Sequence, residues 1–224
     1  FFLATVLREL GFPVHVDNVR KEDVIAGQPL FPIDSCAPNI GAAGHFLRLA
    51  GSEQGIILVP QIDFVESEGS LGRTCTTNQG GPLIAIHFAQ RSCPEARFHV
   101  FELSLADNDP RRIARQIHDY IQPVFSFYGI DADIEKCRVA VESALMAQEA
   151  LRETISNRLA DYIEGAMADE RNVTLVMGRE YILNPGIYDS HIGRLLRDRD
   201  AVALPGYAFD CAMDERYGYF YWKN

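Results

Sequence analysis

Apolar positions recur along the chain with two different periods, and the switch from one to the other divides it into elements. Phe2, Val6, Leu7 and Leu10 fall three or four residues apart before Gly11, the spacing of a helix closed by a C-terminal glycine. Val14, His15 and Val16 then alternate within Phe12–Asp17, and Asp17-Asn18 is a turn pair, so a short strand is expected there. Residues 18–35 are polar and then rich in Pro and Gly; they read as a loop, with one helical turn, that delivers Cys36. A helix over about 42–50, closed by Gly51, leads to Gly55-Ile-Ile-Leu-Val-Pro60, a continuous apolar run typical of strands buried on both faces. This run is expected to be a central parallel strand.

Periodicity fades over residues 61–82, where Gly, Ser, Thr and Asn accumulate around Cys75, the composition of a long functional loop. Leu83–His87 and Phe98–Leu103 read as two further strands joined through Cys93-Pro94. Asp109-Pro110 is an N-cap followed by proline at the first helical position, and Ile113, Ile117, Tyr120 and Ile121 form the stripe of a helix ending between Pro123 and Gly129. From Asp131-Ala-Asp133 a longer stripe through Val141, Leu145, Leu151, Ile155, Leu159 and Ile163 runs to about Met167 and predicts a helix of about thirty residues. A coiled coil is the other reading of this stripe, but regular charges at its flanking positions are weak. Asn172–Gly178 is a β-rich run, Asn184-Pro185 is expected to cap a helix holding Ile187, Ile192, Leu195 and Leu196, and Ala201–Pro205 supplies another strand.

Strands alternating with helices define an α/β fold with parallel sheets. Residues 1–130 are expected to form an N-terminal α/β lobe with cysteine loops, 131–168 a long connecting helix, and 169–224 a second lobe that holds one strand–helix–strand unit and is therefore partial.

Composition narrows the function. The net charge is −10, with no Lys/Arg block to offset it; Arg111, Arg112 and Arg115 are spaced as a solvated helix face. A phosphate backbone is a poor partner for such a chain, so nucleic acid is excluded. No apolar run approaches the roughly 20 residues of a membrane-spanning helix. The opening Phe1–Leu7 lacks a basic segment and runs straight into Arg8-Glu-Leu-Gly, so it does not read as a signal peptide; the absence of an initiator Met suggests a start inside an element. Five cysteines at irregular spacing do not make a disulfide framework, and a reducing cytoplasm is expected.

Two chemistries stand out. Cys36 lies in a Pro-rich turn before a helix of small residues and Cys75 lies in a loop, an arrangement in which soft thiolates converge on a metal; their plain alternative is a small buried hydrophobe. That alternative fits Cys137, inside the long helix between Lys136 and Arg138. No Cys-x-x-Cys pair occurs, which argues against a zinc ribbon. Gly178-Arg179 falls at the carboxyl end of a strand, where open α/β sheets hold ligands. Arg179 either holds an anion at a helix N-terminus or pairs with Glu180 or Asp189. No phosphate-binding glycine loop and no Gly-x-Ser-x-Gly elbow is present, so a hydrolase ranks last.

The pattern Cys36-x-Pro38-(x)5-Gly44-His45, followed by Gly55-Ile-Ile-Leu-Val-Pro60, resembles a segment of the 2-hydroxyacyl-CoA dehydratase and benzoyl-CoA reductase iron–sulfur family. The nearest branch is the uncharacterised domain associated with the ATP-dependent activator, the CoA-substrate-specific enzyme activase. Three further stretches are similar to that branch in order: Ala140-Val-Glu-Ser-Ala-Leu-Met-Ala-Gln148, Gly178-Arg179-Glu-Tyr181-Ile-Leu-Asn184-Pro185 and Tyr219-Phe-Tyr221-Trp222. The chain departs from it at Ile40, Ala43, Thr76, Glu180 and Ile182, where the branch has Lys, His, Pro, Pro and His.

The resemblance implies two Rossmann-like lobes joined by a long helix. It implies a 4Fe-4S iron–sulfur cluster held by Cys36, Cys75 and a third thiol, Cys211 or Cys93 or one outside the chain, with Gly44 and His45 beside it. Gly178, Arg179 and Tyr181 would bind cofactor or substrate in a cleft between the lobes. The implied function is an electron-transfer or reductase component that takes electrons from an ATP-dependent activator protein and passes them to acyl-CoA or another substrate, with a homo-oligomer as a further expectation. Loss of the polar residues at positions 40, 43 and 182 motivates the alternative, an α/β binding or scaffold module that has kept the fold and lost the cluster.

Overall fold

A computed structural model describes residues 1–32, 35–52, 55–67, 70–105, 108–183 and 186–206. Cys211 and Tyr219–Trp222 lie outside the described residues, as do Asn184 and Pro185. The described residues divide into two compact units, Phe1–Leu145 and residues 146–206. The fold is α/β, with a parallel strand pair in each unit, the Rossmann-like arrangement expected from the alternation of strands and helices.

In the first unit, β1 (Ile57–Ser67) is the central strand of a sheet ordered β2-β1-β3, paired parallel with β3 (Phe98–Leu105) and antiparallel with β2 (Ser70–Arg73). Alternate side chains of the parallel pair face opposite layers, as strand geometry requires. On one face Ile56, Leu58, Phe101 and Leu103 join a core with α1 (Phe2–Glu9), α5 (Pro110–Tyr128) and the first turns of α6 (Ile134–Ala168). On the other, Val59 is buried, Gln61 bonds to α4 (Thr76–Ser92), and Phe98 meets Phe46 of α3 (Ala37–Ala50). A further helix, α2 (Lys21–Gly27), and a 3-10 turn (Gln28–Leu30) pack on α3.

Local chemistry explains the clean elements. Asp109 caps α5 by accepting from Arg111 N at 3.0 Å, Pro110 opens it, and Gly129, at φ 65°, closes it in the left-handed region. Pro123 is accommodated inside α5, which runs to Tyr128. Asp133 accepts from Lys136 N at 2.8 Å where α6 begins.

Four expectations are corrected. Phe12–Asp17 pairs with no strand among the described residues: Pro13 has no N–H to give a ladder, Val14 N donates back to Phe12 O at 2.9 Å, and Phe12 turns inward to stack on Phe125 at 5.4 Å. Residues 61–82 are not one long loop, since β1 continues to Ser67, β2 pairs with it antiparallel from Ser70, and α4 begins at Thr76. Leu83–His87 is helix rather than strand. Gly81, Ala85 and Ala89 recur every fourth residue as the buried stripe of α4, with Leu83 and Ile84 exposed, so the longer window obeys the helical period that five residues conceal. Residues 18–35 contribute α2, and α3 starts at Ala37 because Pro38 suits a first helical turn.

In the second unit, β4 (Asn172–Val176) pairs parallel with β5 (Ala201–Pro205), with Val173 opposite Val202 and Leu175 opposite Leu204. Val202 and Leu204 pack with Leu159, Ile163 and Ala166 of α6, the last turns of the predicted stripe. Between the strands lie α7 (Glu180–Leu183) and α8 (Ile192–Arg197); Ile187, expected within one helix there, lies in a turn.

Candidate functional site

The two loop-borne cysteines occupy equivalent positions. Cys36 is the N-cap of α3 and Cys75 the N-cap of α4, and these two helices pack against each other. Each helix runs back through a short connection into one strand of the parallel pair, so α3 and α4 point the same way and begin at the carboxyl end of the sheet. Their close approach is near those beginnings: a Cβ on Gly81 would lie 3.0 Å from the amide of Asn39, which is itself buried.

The segment entering α4 is fixed by hydrogen bonds. Gln61 Nε2 donates to Gln79 O at 2.7 Å, Gln79 Nε2 donates to Thr74 O and Oγ1 at 3.2 and 3.1 Å, and Thr74 Oγ1 donates to Ile62 O. Cys75 is thereby held half-buried, while Cys36 is exposed. Two thiols at adjacent helix N-termini suit an anionic thiolate-bound metal. Among the described residues no group of three His, Cys, Asp or Glu is placed to hold a metal ion. Cys93 caps the far end of α4, and Cys137 is sealed in the core, where burial pushes its thiol up to about 11.

Gly44 and His45 lie elsewhere. His45 is nine residues along α3 from Cys36, about 13.5 Å of helix rise. His45 is 7% exposed and belongs to a charged cluster that sequence reasoning missed. The Arg48 guanidinium grips the carboxylate of Asp23 in α2 with two bonds, Nε to Oδ1 at 2.8 Å and Nη2 to Oδ2 at 2.9 Å, and donates through Nη1 to Asp17. His45 Nδ1 lies 3.0 Å from Arg48 Nη2 and 3.4 Å from Asp23 Oδ2. Asp23 Oδ2 accepts from Arg20 N at 2.8 Å, a capping-box bond that starts α2. The Arg48 hydrogen bond is the main reason the Asp17 carboxyl is lowered to about 2 and that of Asp23 falls below its ordinary value. Gly44 serves helix packing, because a Cβ there would stand 1.8 Å from Asp23 O.

In the second unit, Gly178 and Arg179 follow β4, and Gly178 packs on Leu183. Arg179 is exposed and makes no ion pair among the described residues; Asp189, one of its expected partners, bonds instead to His191 N and Nδ1 at 2.7 and 3.1 Å. Tyr181 stacks edge-on with Tyr188 at 5.9 Å.

Compared with known families, residues 1–207 match the CoA enzyme activase uncharacterised domain (DUF2229). The chain belongs to this family. No curated protein and no solved structure matches the chain. Membership of the CoA enzyme activase uncharacterised domain family associates the chain with CoA enzyme activase, and with an activator as its general class of partner. No helix among the described residues of this family member is long and apolar enough to cross a membrane.

The clearest signal that could have found the Arg48 cluster was the acidic Asp17 and Glu22-Asp23 beside a helix in which Arg48 is the sole Lys or Arg. Nothing in the spacing ties them, because the paired residues are 25 and 31 positions apart.

Proposed function

We propose that the chain is an iron–sulfur electron-transfer component that works with an ATP-dependent activator and serves acyl-CoA reduction or 2-hydroxyacyl-CoA dehydration. The observation that carries this reading is the placement of Cys36 and Cys75 as N-caps of two packed, co-directional helices at the carboxyl end of the parallel strands. Membership of an activase-associated family supports it. When bound, a 4Fe-4S cluster supplies a one-electron carrier. Cys36 and Cys75 would be two of its ligands, and Cys211, Cys93 or a cysteine outside this chain would be the third.

The chain's own residues set the surroundings. Asn39 against Gly81 fixes the spacing of the two helices, and the Gln61–Gln79–Thr74 bonds hold the backbone that presents Cys75. Exposed Cys36 is the side from which a donor protein would approach. Gly178, Arg179 and Tyr181 would engage the acyl-CoA, with exposed Arg179 offering a cation to its phosphates.

Anaerobic purification of the full-length protein with iron and sulfide analysis tests this reading. Brown protein that loses its iron on Cys36→Ala or Cys75→Ala substitution is the expected result. The second reading, a binding or scaffold module without a cluster, is favoured by Ala43, fully buried at a position where the resembling branch carries a polar His. Colourless protein, identical in its Cys36→Ala form, would establish that reading instead.

A further inference from the structure

The second unit holds a sheet edge that no strand covers among the described residues. β4 and β5 form a two-stranded sheet, so the side of β4 away from β5 offers its backbone groups to no further strand there. Edge strands are blunted by charge or proline, as β3 is by Glu102 and β5 by Pro205. β4 carries neither: from Asn172 to Met177 it reads Asn-Val-Thr-Leu-Val-Met. Its register with β5 sets Val173 and Leu175 on the face that holds Val202 and Leu204. α6 packs on Val202 and Leu204 and seals them, whereas Val173 stays 39% exposed, Leu175 52%, and Met177, next in the alternation, 76%.

The charges at the two ends of β4 say what fits this edge. Arg179, just past the carboxyl end, is exposed and makes no ion pair among the described residues, and the same holds for Asp169 and Glu170, just before the amino end. An antiparallel neighbour brings the carboxyl end of one strand beside the amino end of the other, so the edge is complementary to itself. We propose that β4 pairs antiparallel with β4 of a second copy of this chain, about a two-fold axis at Thr174, and so forms a continuous four-stranded sheet. In that register Val173 faces Leu175 of the second copy, joining the two exposed apolar rows, and each Arg179 comes level with Asp169 and Glu170 across the axis. A pairing centred on Leu175 would bring Arg179 level with Arg171, a like charge, and a slip of one residue would turn the second copy's Val173 and Leu175 to the opposite face. The interface lies wholly within the second unit and does not depend on a cluster; an anion held by Arg179 would compete with it.

Sedimentation velocity of the full chain over about a hundredfold range of concentration, without added anionic ligand, tests the proposal. The edge is short against a standard interface of about 1,600 Å2, so a reversible dimer that dissociates at micromolar concentration is expected. Leu175→Lys, at an exposed side chain, should weaken the dimer about tenfold or more by placing a charge on the edge. Arg179→Glu should weaken it too, and adding Asp169→Arg and Glu170→Arg to that variant should restore it, a rescue that a local structural role would not give. The two-fold axis places the Cα atoms of position 174 about 4.5–5.5 Å apart, so mild oxidation of Thr174→Cys should link the two copies at that position, as read by mass spectrometry of the cross-linked peptides. The proposal is overturned by a chain that stays monomeric throughout, by a dimer that folded Leu175→Lys leaves unchanged, by charge reversal without recovery, or by cross-links confined to other cysteines. Should circular dichroism show Leu175→Lys unfolded, the charge-reversal series and the cross-link decide with the same outcomes.

Discussion

Arg48 bears more of the N-terminal unit's polar structure than any other side chain described. Its guanidinium joins the turn at Asp17-Asn18, the start of α2 at Asp23 and the ring of His45, using the planar fork that a lysine lacks. Arg48→Met would leave the buried Asp23 carboxylate with the Arg20 N–H and, at 3.4 Å, His45 Nδ1, and a loss of roughly 3 kcal/mol is expected in urea unfolding. The same pairs make stability depend on acid. Both carboxyls have folded pKa values below their unfolded ones, Asp17 at about 2 against 3.8, so their contribution is complete above about pH 4 and drains away as pH falls toward 2. Urea midpoints of the native protein should therefore fall steeply over that interval, and those of Arg48→Met less so. Parallel curves for the two proteins would show that these ion pairs contribute nothing to the linkage. At this scale the sequence was legible for isolated chemistry, as at Cys36, and silent about partners brought together across some thirty residues of chain.

Two glycines decide how α2 lies on α3. A Cβ on Gly27 would stand 1.9 Å from Ile40 O, and one on Gly44 1.8 Å from Asp23 O, so each helix offers a bare patch to the other's backbone. Gly27→Ala and Gly44→Ala are each expected to destabilise by about 2 kcal/mol through forced separation of the helices. Gly165, inside α6 with nothing within 4 Å of its would-be Cβ, is the control: Gly165→Ala should stabilise by about 0.5–1 kcal/mol through helix propensity. Thermal unfolding of the three variants checks the contrast, and a Gly44→Ala protein as stable as the parent would remove the packing account of Gly44-His45. Elements were readable in proportion to their length. The many-turn stripes of α5 and α6 and the strands β3 and β5 declared their period, whereas the five-residue run Leu83–His87 fits strand and helix equally and was settled by its contacts. The β1–β2 hairpin was hidden because polar, Gly-rich residues are as common in a hairpin as in a loop.

Across the whole molecule, apolar burial is unevenly shared. The N-terminal unit seals a core running from Val6 on α1 to Ala144 on α6, while the second unit buries Ala166, Val202 and Leu204, with Leu159 and Ile163 half-covered. Every residue of α6 from Glu149 to Arg158 is exposed, so that stretch stands on backbone hydrogen bonds and surface pairs such as Arg152–Glu149 at 3.6 Å. Local opening is cheapest where few apolar contacts must be given up. Amides of β4 and β5 should therefore exchange hydrogen well before those of β1 and β3, and the 149–158 stretch of α6 should exchange early as well. Brief trypsin treatment should cut first at Arg152 and Arg158 and leave a resistant fragment carrying α1 to α5, because Arg111, Arg112 and Arg115 sit on a helix anchored by the buried Ile113, Ile117 and Ile121. Uniform protection across both sheets, or first cuts within α5, would mean that the two units unfold as one cooperative body despite the disparity of their cores.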